Sequence, residues 1–286
     1  VQTREDRFIE RVKREFPLHE ILRSNPILQH LRSIKEPEEI ELLQKACNIT
    51  EKGVRRLLSF VKPGVWEYEI EAELMHEFLR NRSKGFAYTP IIASGENANV
   101  LHYIANNMQC KDGDVILLDI GAEYANYSSD LTRMIPVNGK FTARQKEIYN
   151  AVLDMKNFAT SLLVPGNNWY DYHKECGDFY TSKFLELGLL DKADVQNQDK
   201  NWPAYKKYMM HGTSHHLGLD THDYGILKDK FVENMVFTVE PGIYLPAEGF
   251  GVRIEDDMVI QNSGPAFNLM KNIPIEVEEI EELMNS

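Results

Sequence analysis

VILLDIGAEYANYSSDLTRMI, residues 115–135, reads as two β-strands joined by a short turn. If Ala125-Asn126 forms the turn of a hairpin, residue 124 faces residue 127, and Asp119 lies diagonally across from Asp130 on one sheet face. Burying an unpaired carboxylate costs free energy, and two adjacent carboxylates repel each other. The stretch therefore predicts a positive partner between the two aspartates, and a metal ion is the strongest candidate.

Composition excludes several classes of protein. The chain has 286 residues, of which 43% are apolar, so it can bury one large core or two modest ones. Its formal net charge of −12 argues against a broad nucleic-acid surface and against binding to anionic membranes. No window has the apolar length that spans a bilayer. Cys47, Cys110 and Cys176 form no CxxC pair, which favours a reducing, cytoplasmic location over a disulfide framework.

Helical and strand-like patterns alternate along the chain. Residues 1–34 are predicted to form one short charged helix and a connector. Because no initiator Met is present, we expect a piece cut from a longer chain. Apolar periodicity and Pro-Gly breaks predict helices over about 37–62, 67–82, 142–164 and 169–187. Strands are expected at 86–94, 99–104, 114–124, 127–137, 205–211, 235–240, 243–246 and 250–261, with an inserted loop at 190–204 and a solvated acidic helix at the C-terminal end.

Two segments of the chain resemble each other: LLSFVKPGVWEYEIEAEL (residues 57–74) and ATSLLVPGNNWYDYHKEC (residues 159–176). Each reads as a helix, a Pro-Gly break and a second helix, and each is followed by strands that carry polar residues. Two such units would pack as a pseudo-twofold α+β domain with a site between them. Chance similarity of two Pro-Gly helix ends is the alternative.

The histidines concentrate in MHGTSHHLGLDTHDYG, residues 210–225, which contains His211, His215, His216 and His222. Any one of them alone is better explained as a core or surface imidazole. Four within twelve residues, among glycines and an Asp, indicate a site. The spacing is not HExxH, which disfavours a single-zinc helix.

Two strand-like stretches further on carry acidic residues. In VFTVEPGIYL (residues 236–245), Glu240 ends a strand just before a proline. In GVRIEDDMVI (residues 251–260), Glu255 shares a face with Arg253. Taken alone, Glu255 is better explained as part of a solvated strand face, because two further acidic residues follow it.

Five of these residues form a candidate metal-ligand set: Asp119, Asp130, His215, Glu240 and Glu255. Four carboxylates and an imidazole suit Mn²⁺, Fe²⁺, Co²⁺ or Zn²⁺ better than a thiolate site would. Four negative charges roughly neutralise two divalent ions, and two ions about 3.5–4 Å apart can share a water and lower its pKa towards about 7. Such a nucleophile needs no Ser or Cys, and no GxSxG or P-loop competes with it.

The chain resembles the catalytic domain of the pita-bread metallopeptidases. Within them it is most similar to the Xaa-Pro aminopeptidases (aminopeptidase P), with prolidase next. The resemblance covers about residues 33–286 and rests on stretches that follow the family's order: FAYTPIIASGENANVLHY, LLDIGAEYANYSSDLTRMIPVNGKFT, MHGTSHHLGLDTHD, FTVEPGIY and GVRIEDDMVI. It implies an α+β pita-bread fold, in which a duplicated helix-pair-plus-strands unit surrounds a curved antiparallel sheet with pseudo-twofold symmetry. Residues 1–32 would be the remnant of an N-terminal domain and its connector, and residues 33–286 the catalytic domain.

The resemblance also implies roles for individual residues. Five would hold two divalent ions, usually Mn²⁺ and otherwise Co²⁺, Fe²⁺ or Zn²⁺: Asp119, Asp130, His215, Glu240 and Glu255. Among these, Asp130 and Glu255 would bridge the ions, and Glu240 would help to deprotonate the attacking water. Three imidazoles would position the peptide and stabilise the tetrahedral intermediate: His102, His211 and His222. Three more side chains would lie around the metals: Tyr88, Tyr244 and Arg253.

The activity implied is removal of the first residue from peptides with proline in second position, by a protein that forms homo-oligomers at full length. Prolidase activity on X-Pro dipeptides is the alternative, although TRMIPVNGKFT (residues 132–142) favours the aminopeptidase. A metal-free module that binds peptides or proteins is a further alternative, which the presence of all five ligand types disfavours. Two features depart from the family pattern: His216, where some relatives have an aromatic residue, and the insertion at 190–204.

Overall fold

The structure is a computed structural model, and it describes residues 2–286. Within that range the α-helices are α1 (Arg4–Glu15), α2 (Asn25–Ser33), α3 (Pro37–Phe60), α4 (Glu67–Arg80), α5 (Ala143–Ser161), α6 (Trp169–Glu186), α7 (Lys192–Gln196) and α8 (Val277–Met284). The β-strands are β1 (Ile91–Ser94), β2 (Val115–Ile120), β3 (Glu123–Tyr124), β4 (Tyr127–Ser128), β5 (Leu131–Pro136), β6 (Val236–Val239), β7 (Gly242–Leu245), β8 (Phe250–Arg253), β9 (Asp256–Val259) and β10 (Phe267–Asn268). None of these helices combines the length and the apolarity that crossing a membrane requires.

Two three-stranded antiparallel sheets lie at the centre, in the strand orders β1-β2-β5 and β10-β9-β6. They meet where Thr132 and Glu255 form an isolated antiparallel bridge. In this bridge the Glu255 N–H donates to the Thr132 carbonyl oxygen over 3.1 Å. Strands of both sheets therefore deliver side chains to the same place.

The hairpin predicted from the sequence is present. Its turn residues, Ala125 and Asn126, have left-handed backbone with φ of 53° and 72°. The register set at the turn continues between β2 and β5, where Asp119 faces Thr132. Asp119 and Asp130 are therefore diagonal neighbours, as predicted.

The two halves of the chain repeat one unit, as the internal similarity predicts. α3 packs against α4 beside the first sheet, and α5 packs against α6 beside the second. The breaks between the paired helices match: the Gly64 N–H donates to the Cys110 carbonyl and the Gly166 N–H to the Phe231 carbonyl, each over 2.9 Å. Both glycines have positive φ, 95° and 91°. This agreement in backbone bonding supports a repeated unit over a chance similarity of two Pro-Gly stops.

Two stretches predicted as strands are not strands. Residues 99–104 begin at the last residue of a 3₁₀ helix (Gly95–Asn99) and continue through a turn at 101–102, where His102 is exposed. Residues 205–211 begin within another 3₁₀ helix (Ala204–Lys207). Both segments have the apolar content of a strand, but their backbone N–H groups bond locally: the Tyr103 N–H donates to the Val100 carbonyl, and the Tyr208 and Met209 N–H groups donate to the Tyr205 carbonyl.

Three further segments differ in part from the prediction. The region 1–34 contains two helices, because a proline in the first turn of α2 starts a second one. The loop predicted at 190–204 contains the short helix α7. The acidic segment α8 is a helix as predicted, but it is only partly solvated, since Val277 and Ile280 are buried against the core.

Candidate metal centre

Three of the predicted ligands come together where the two sheets meet. Asp130 lies between β4 and β5, His215 precedes β6, and Glu255 lies between β8 and β9. Each offers one donor atom, and these atoms lie within 4.8 Å of one another. Carboxylate oxygens with an imidazole nitrogen are a donor set that suits divalent transition metals. The residues therefore fit a divalent ion.

The other two predicted ligands border this group. Glu240 Oε1 is 3.5 Å from His215 Nε2, which itself lies 3.3 Å from Asp130 Oδ2. The Tyr88 hydroxyl is 2.6 Å from Asp119 Oδ1 and 2.6 Å from Asp130 Oδ1. The structure thus brings all five predicted ligands to one site and places Tyr88 between the two aspartates.

Backbone pairing explains how His215 reaches Glu240. The segment before β6 lies alongside that strand, because His216 forms an isolated bridge with Phe237. The Thr238 N–H donates to the His215 carbonyl over 3.0 Å, and the His215 N–H donates to the Thr238 hydroxyl over 3.1 Å. The histidine-rich segment is therefore held like an added strand, with His215 directed at the ligand group.

Thr132 is a site residue that the sequence analysis did not single out. Its hydroxyl donates to Glu255 Oε2 over 2.7 Å and accepts from Arg253 Nε over 3.1 Å. Arg253 also donates to Asp119 Oδ2 over 2.5 Å. The sequence feature that could have identified Thr132 is its position two residues after Asp130, which puts both side chains on one strand face.

The outer imidazoles line a cavity of about 630 Å³ together with all five ligand candidates. The three imidazoles are His102, His211 and His222. The His222 ring centroid lies 4.4 Å from that of His215. His102 and His222 are exposed, so both present their rings to whatever enters the cavity.

His211 is fixed by a chain of hydrogen bonds. Arg253 Nη1 donates to the Tyr244 hydroxyl over 2.8 Å, and that hydroxyl lies 2.7 Å from His211 Nε2. Burial, and then the charge of Arg253, lower the pKa of His211 to about 3, so the ring is neutral. Its Nδ1–H donates to the Gly212 carbonyl over 2.8 Å, and Tyr244 donates to Nε2.

Negative charge is concentrated among the buried side chains of the candidate metal centre. Burial raises the pKa of Glu240 to about 7, and it also raises the pKa of Asp119 and of Glu255. Burial alone would lower the pKa of His215, but a hydrogen bond with Asp130 and the charge of Glu240 outweigh it and raise the pKa to about 9. Each shift reflects carboxylates crowded away from water, and a divalent cation would offset that charge.

The acids that follow Glu255 are not solvated, so the interpretation of this stretch as an exposed face is wrong. Asp256 and Asp257 are both 0% exposed. Asp256 forms ion pairs with Lys156 and with Arg133, the latter over 2.6 Å. Asp257 accepts the Asp130 N–H over 3.1 Å and so supports a ligand from behind. Because these partners are remote in the sequence, the local pattern could not show them.

Comparison with known proteins identifies the family. Residues 41–262 match metallopeptidase family M24. The chain belongs to this family. It is 42% identical over 278 residues to an Xaa-Pro aminopeptidase of Haemophilus influenzae, a match that covers 93% of this chain and 64% of that relative. It is 34% identical over 307 residues to the mouse Xaa-Pro dipeptidase, covering 91% of this chain and 62% of that one.

A solved structure of an aminopeptidase P is similar to this chain in fold. Aminopeptidase P from Escherichia coli with the inhibitor Pro-Leu matches with a TM-score of 0.90 and 35% identity, over 99% of this chain and 69% of that chain. The resemblance to the aminopeptidase P catalytic domain and its pita-bread fold is thus confirmed. M24 metallopeptidases use divalent metals, and this chain has a group able to hold one: Asp130, His215 and Glu255. The chain spans 64% of the length of the Haemophilus relative.

Proposed function

We propose that this M24 chain is a metal-dependent aminopeptidase that releases the N-terminal residue from peptides with proline in second position. One observation carries the proposal: five metal-ligand candidates and three imidazoles line a single cavity of about 630 Å³. A cavity of this size suits a short peptide end. A tertiary X-Pro amide has no N–H and restricts its neighbour, so a dedicated site for it makes chemical sense.

The metals proposed are two divalent ions, most fittingly Mn²⁺, with Co²⁺, Fe²⁺ or Zn²⁺ as alternatives. Five side chains would hold them: Asp119, Asp130, His215, Glu240 and Glu255. Within this set, Asp130 and Glu255 are both buried and would supply negative charge that offsets the charge of the ions. When bound, such ions supply Lewis acidity and lower the pKa of water towards about 7. Four carboxylates around two divalent cations leave the site nearly neutral, which supports two ions over one.

The remaining chemistry falls to protein side chains. Glu240, whose Oε1 lies 3.5 Å from His215 Nε2, would accept a proton from the attacking water. His102 and His222 are exposed and line the cavity, and they would bind the peptide carbonyl and donate to its developing negative charge. His211 has both ring nitrogens engaged, with Tyr244 and with Gly212, so its proposed contribution is to shape and orient this wall of the cavity.

Incubation with Mn²⁺ and the tripeptide Arg-Pro-Pro tests the proposal. Free arginine and Pro-Pro are expected as products. Asp130→Asn removes a ligand charge and should abolish release with the fold kept, whereas the exposed Asp112→Asn should leave it unchanged. If the metal-loaded protein releases no arginine, the aminopeptidase proposal fails. A metal content of zero after loading with Mn²⁺ would favour a binding module.

The alternative is a dipeptidase, and the 34% identity to the mouse Xaa-Pro dipeptidase supports keeping it. The same ligands and imidazoles would serve both activities. The two differ in what they accept: a dipeptidase hydrolyses Arg-Pro and leaves Arg-Pro-Pro intact. Measuring both substrates in parallel therefore separates them.

Further properties of the chain are also proposals. The three cysteines are free and buried, which supports a reducing, cytoplasmic setting. The net charge of −12 supports a protein without a nucleic-acid partner or an anionic-membrane surface. The division into residues 1–32 and a catalytic domain over residues 33–286, and homo-oligomerisation of the full-length protein, follow from the family resemblance.

A further inference from the structure

Glu67 is a carboxylate with 0% exposure that lies outside the candidate metal centre. It is the first residue of α4, and five hydrogen bonds converge on it. Its Oε1 accepts from the Ser94 N–H (2.8 Å), the Ser94 hydroxyl (2.7 Å) and Asn97 Nδ2 (3.2 Å). Its Oε2 accepts from the Tyr103 hydroxyl (2.8 Å) and the Met108 N–H (3.0 Å). Both oxygens are thus surrounded by donors.

All of these donors belong to one segment, residues 94–108, which carries His102 to the cavity. After β1 this segment contains a 3₁₀ helix (Gly95–Asn99) and one turn at residues 101–102, and residues 103–108 are irregular. The donors lie on both sides of His102 in the sequence, and the nearest of them is the adjacent Tyr103. One buried carboxylate therefore fixes the path of a segment that has no ladder of strand pairing to fix it.

The Glu67 carboxylate accepts hydrogen bonds through both of its oxygens, which the amide of a glutamine cannot do. A glutamine of the same length has one accepting oxygen and one donating nitrogen. In either orientation its nitrogen would face a backbone N–H, that of Ser94 or that of Met108. A buried N–H without an acceptor is costly, so the segment would have to move. The charge of Glu67 also lies in the first turn of α4, where the helix dipole favours it.

A second anchor keeps the segment attached if Glu67 is changed. Asn106 Oδ1 accepts the Ile92 N–H over 3.0 Å. Asn106 Nδ2 donates to the Pro90 carbonyl and to Glu71, each over 3.0 Å. A change at Glu67 is therefore expected to loosen the part that carries His102 while the fold is kept.

We infer that Glu67 is a positioning residue that sets the place of His102 in the cavity by binding both flanks of the segment that carries it. The inference rests on the proposed function, in which His102 contacts the peptide. It assigns a role in the reaction to a side chain that touches neither the metal ligands nor the substrate cavity.

Glu67→Gln tests the anchoring, with Glu69→Gln as its matched control. Glu69 lies in the same turn of α4, is exposed, and accepts the Trp66 N–H over 2.7 Å without contacting residues 94–108. Hydrogen exchange is expected to speed up across residues 95–108 in Glu67→Gln and to stay unchanged there in Glu69→Gln. Equal exchange in the two variants would overturn the inference, and this readout does not depend on any activity.

A double-mutant cycle with His102→Gln tests the link to the reaction. Glu67→Gln alone should lower kcat/KM for Arg-Pro-Pro by about 10-fold to 100-fold, as expected for a displaced catalytic group. In the His102→Gln background the same change should cost almost nothing further, because the group that it positions is gone. Bound Mn²⁺ per chain should be unchanged. Fully additive losses would overturn the inference, since a general loss of stability acts independently of His102.

Tyr103→Phe covers the case in which Glu67→Gln does not fold. It deletes one hydrogen bond to Glu67 beside His102 and changes no charge or volume of consequence. A smaller loss of the same kind, again absent in the His102→Gln background, supports the inference, and full activity overturns it. If the unmodified protein cleaves no X-Pro peptide, the proposed function fails, while exchange across residues 95–108 still decides whether Glu67 holds the segment.

Discussion

Two carboxylates of the candidate centre, those of Asp119 and Glu255, each have a close donor that fixes their direction. Arg253 donates to Asp119 over 2.5 Å, and Thr132 donates to Glu255 over 2.7 Å. Such partners matter because a ligand held in one direction loses less freedom when it binds an ion. At the scale of single residues, the site is therefore prepared for a cation by hydrogen bonds that do not use the ion itself.

His215 and His222 are neighbouring imidazoles for which opposite outcomes are expected on substitution. His215 Nε2 faces Asp130 and Glu240 at 3.3 and 3.5 Å, so His215→Ala should lose bound metal and turnover together. His222 is exposed beside it, and His222→Ala should lower kcat by about 100-fold with metal content kept, because a donor to the developing charge is removed. Metal analysis after gel filtration, paired with kcat, separates the two. Equal metal loss in both variants would make His222 a ligand.

At the scale of elements, local patterns predicted more than long-range pairings did. The hairpin could be predicted because its register is set by adjacent residues: once Ala125 and Asn126 form the turn, alternation places Asp119 and Asp130. The path of residues 99–104 could not, because it depends on the distant carboxylate of Glu67. Composition alone made that segment look like a strand.

The same limit applies to the acids after Glu255. Asp256 is buried together with two cationic partners, Arg133 and Lys156, which offset its charge. Both partners lie far earlier in the chain. A run of acidic residues normally indicates a solvated face, and nothing adjacent in the sequence contradicts that. The five ligand candidates could be named, in contrast, because the family motifs contain each of them, although the local pattern alone disfavoured Glu255.

A buried lysine connects the segment between α2 and α3 to the histidine-rich loop. Lys35 is 2% exposed, and its Nζ lies 3.5 Å from Asp223 Oδ2. Arg32 also pairs with Asp223, over 2.6 Å, and Glu39 adds a more distant negative charge. Burial lowers the pKa of Lys35 to about 8 from 10.5, despite the attraction of Asp223.

This shift predicts how stability depends on pH. Between pH 8 and 10.5 the unfolded chain binds a proton at Lys35 that the folded chain has lost, so the free energy of unfolding should rise with pH across this window. The free energy of unfolding of the unmodified protein, measured relative to that of Lys35→Met, should rise by up to about 3 kcal/mol over that range. Below pH 8 the difference in unfolding free energy between the two proteins should be constant. Urea unfolding of both proteins from pH 7 to pH 10.5 measures it. A difference that is flat, or that falls as pH rises, would contradict the prediction.

At the scale of the whole molecule, the site exists because two copies of one unit face each other. Each unit supplies a helix pair and a three-stranded sheet, and the ligands come from both: Asp119 and Asp130 from the first, His215, Glu240 and Glu255 from the second. Neither half alone supplies all five ligand candidates. The two units should therefore contribute comparably to stability at equivalent positions.

The matched glycines test that equivalence. Gly64 and Gly166 have φ of 95° and 91°, and a Cβ would meet nothing within 4 Å at Gly166 and only Gln109 Nε2, at 3.9 Å, at Gly64. The cost of Gly→Ala is thus confined to the backbone, and each variant should lose about 1 to 2 kcal/mol of unfolding free energy. The loss should be similar at both positions and additive in the double variant, because the glycines share no partners. Gly→Asn, which tolerates positive φ better, should lose less at each position. Urea unfolding supplies the values, and kcat for Arg-Pro-Pro should stay unchanged because both glycines lie outside the cavity. A large loss of unfolding free energy at one glycine with none at the other would contradict the prediction. It would show that the two halves have similar backbone geometry but contribute differently to stability.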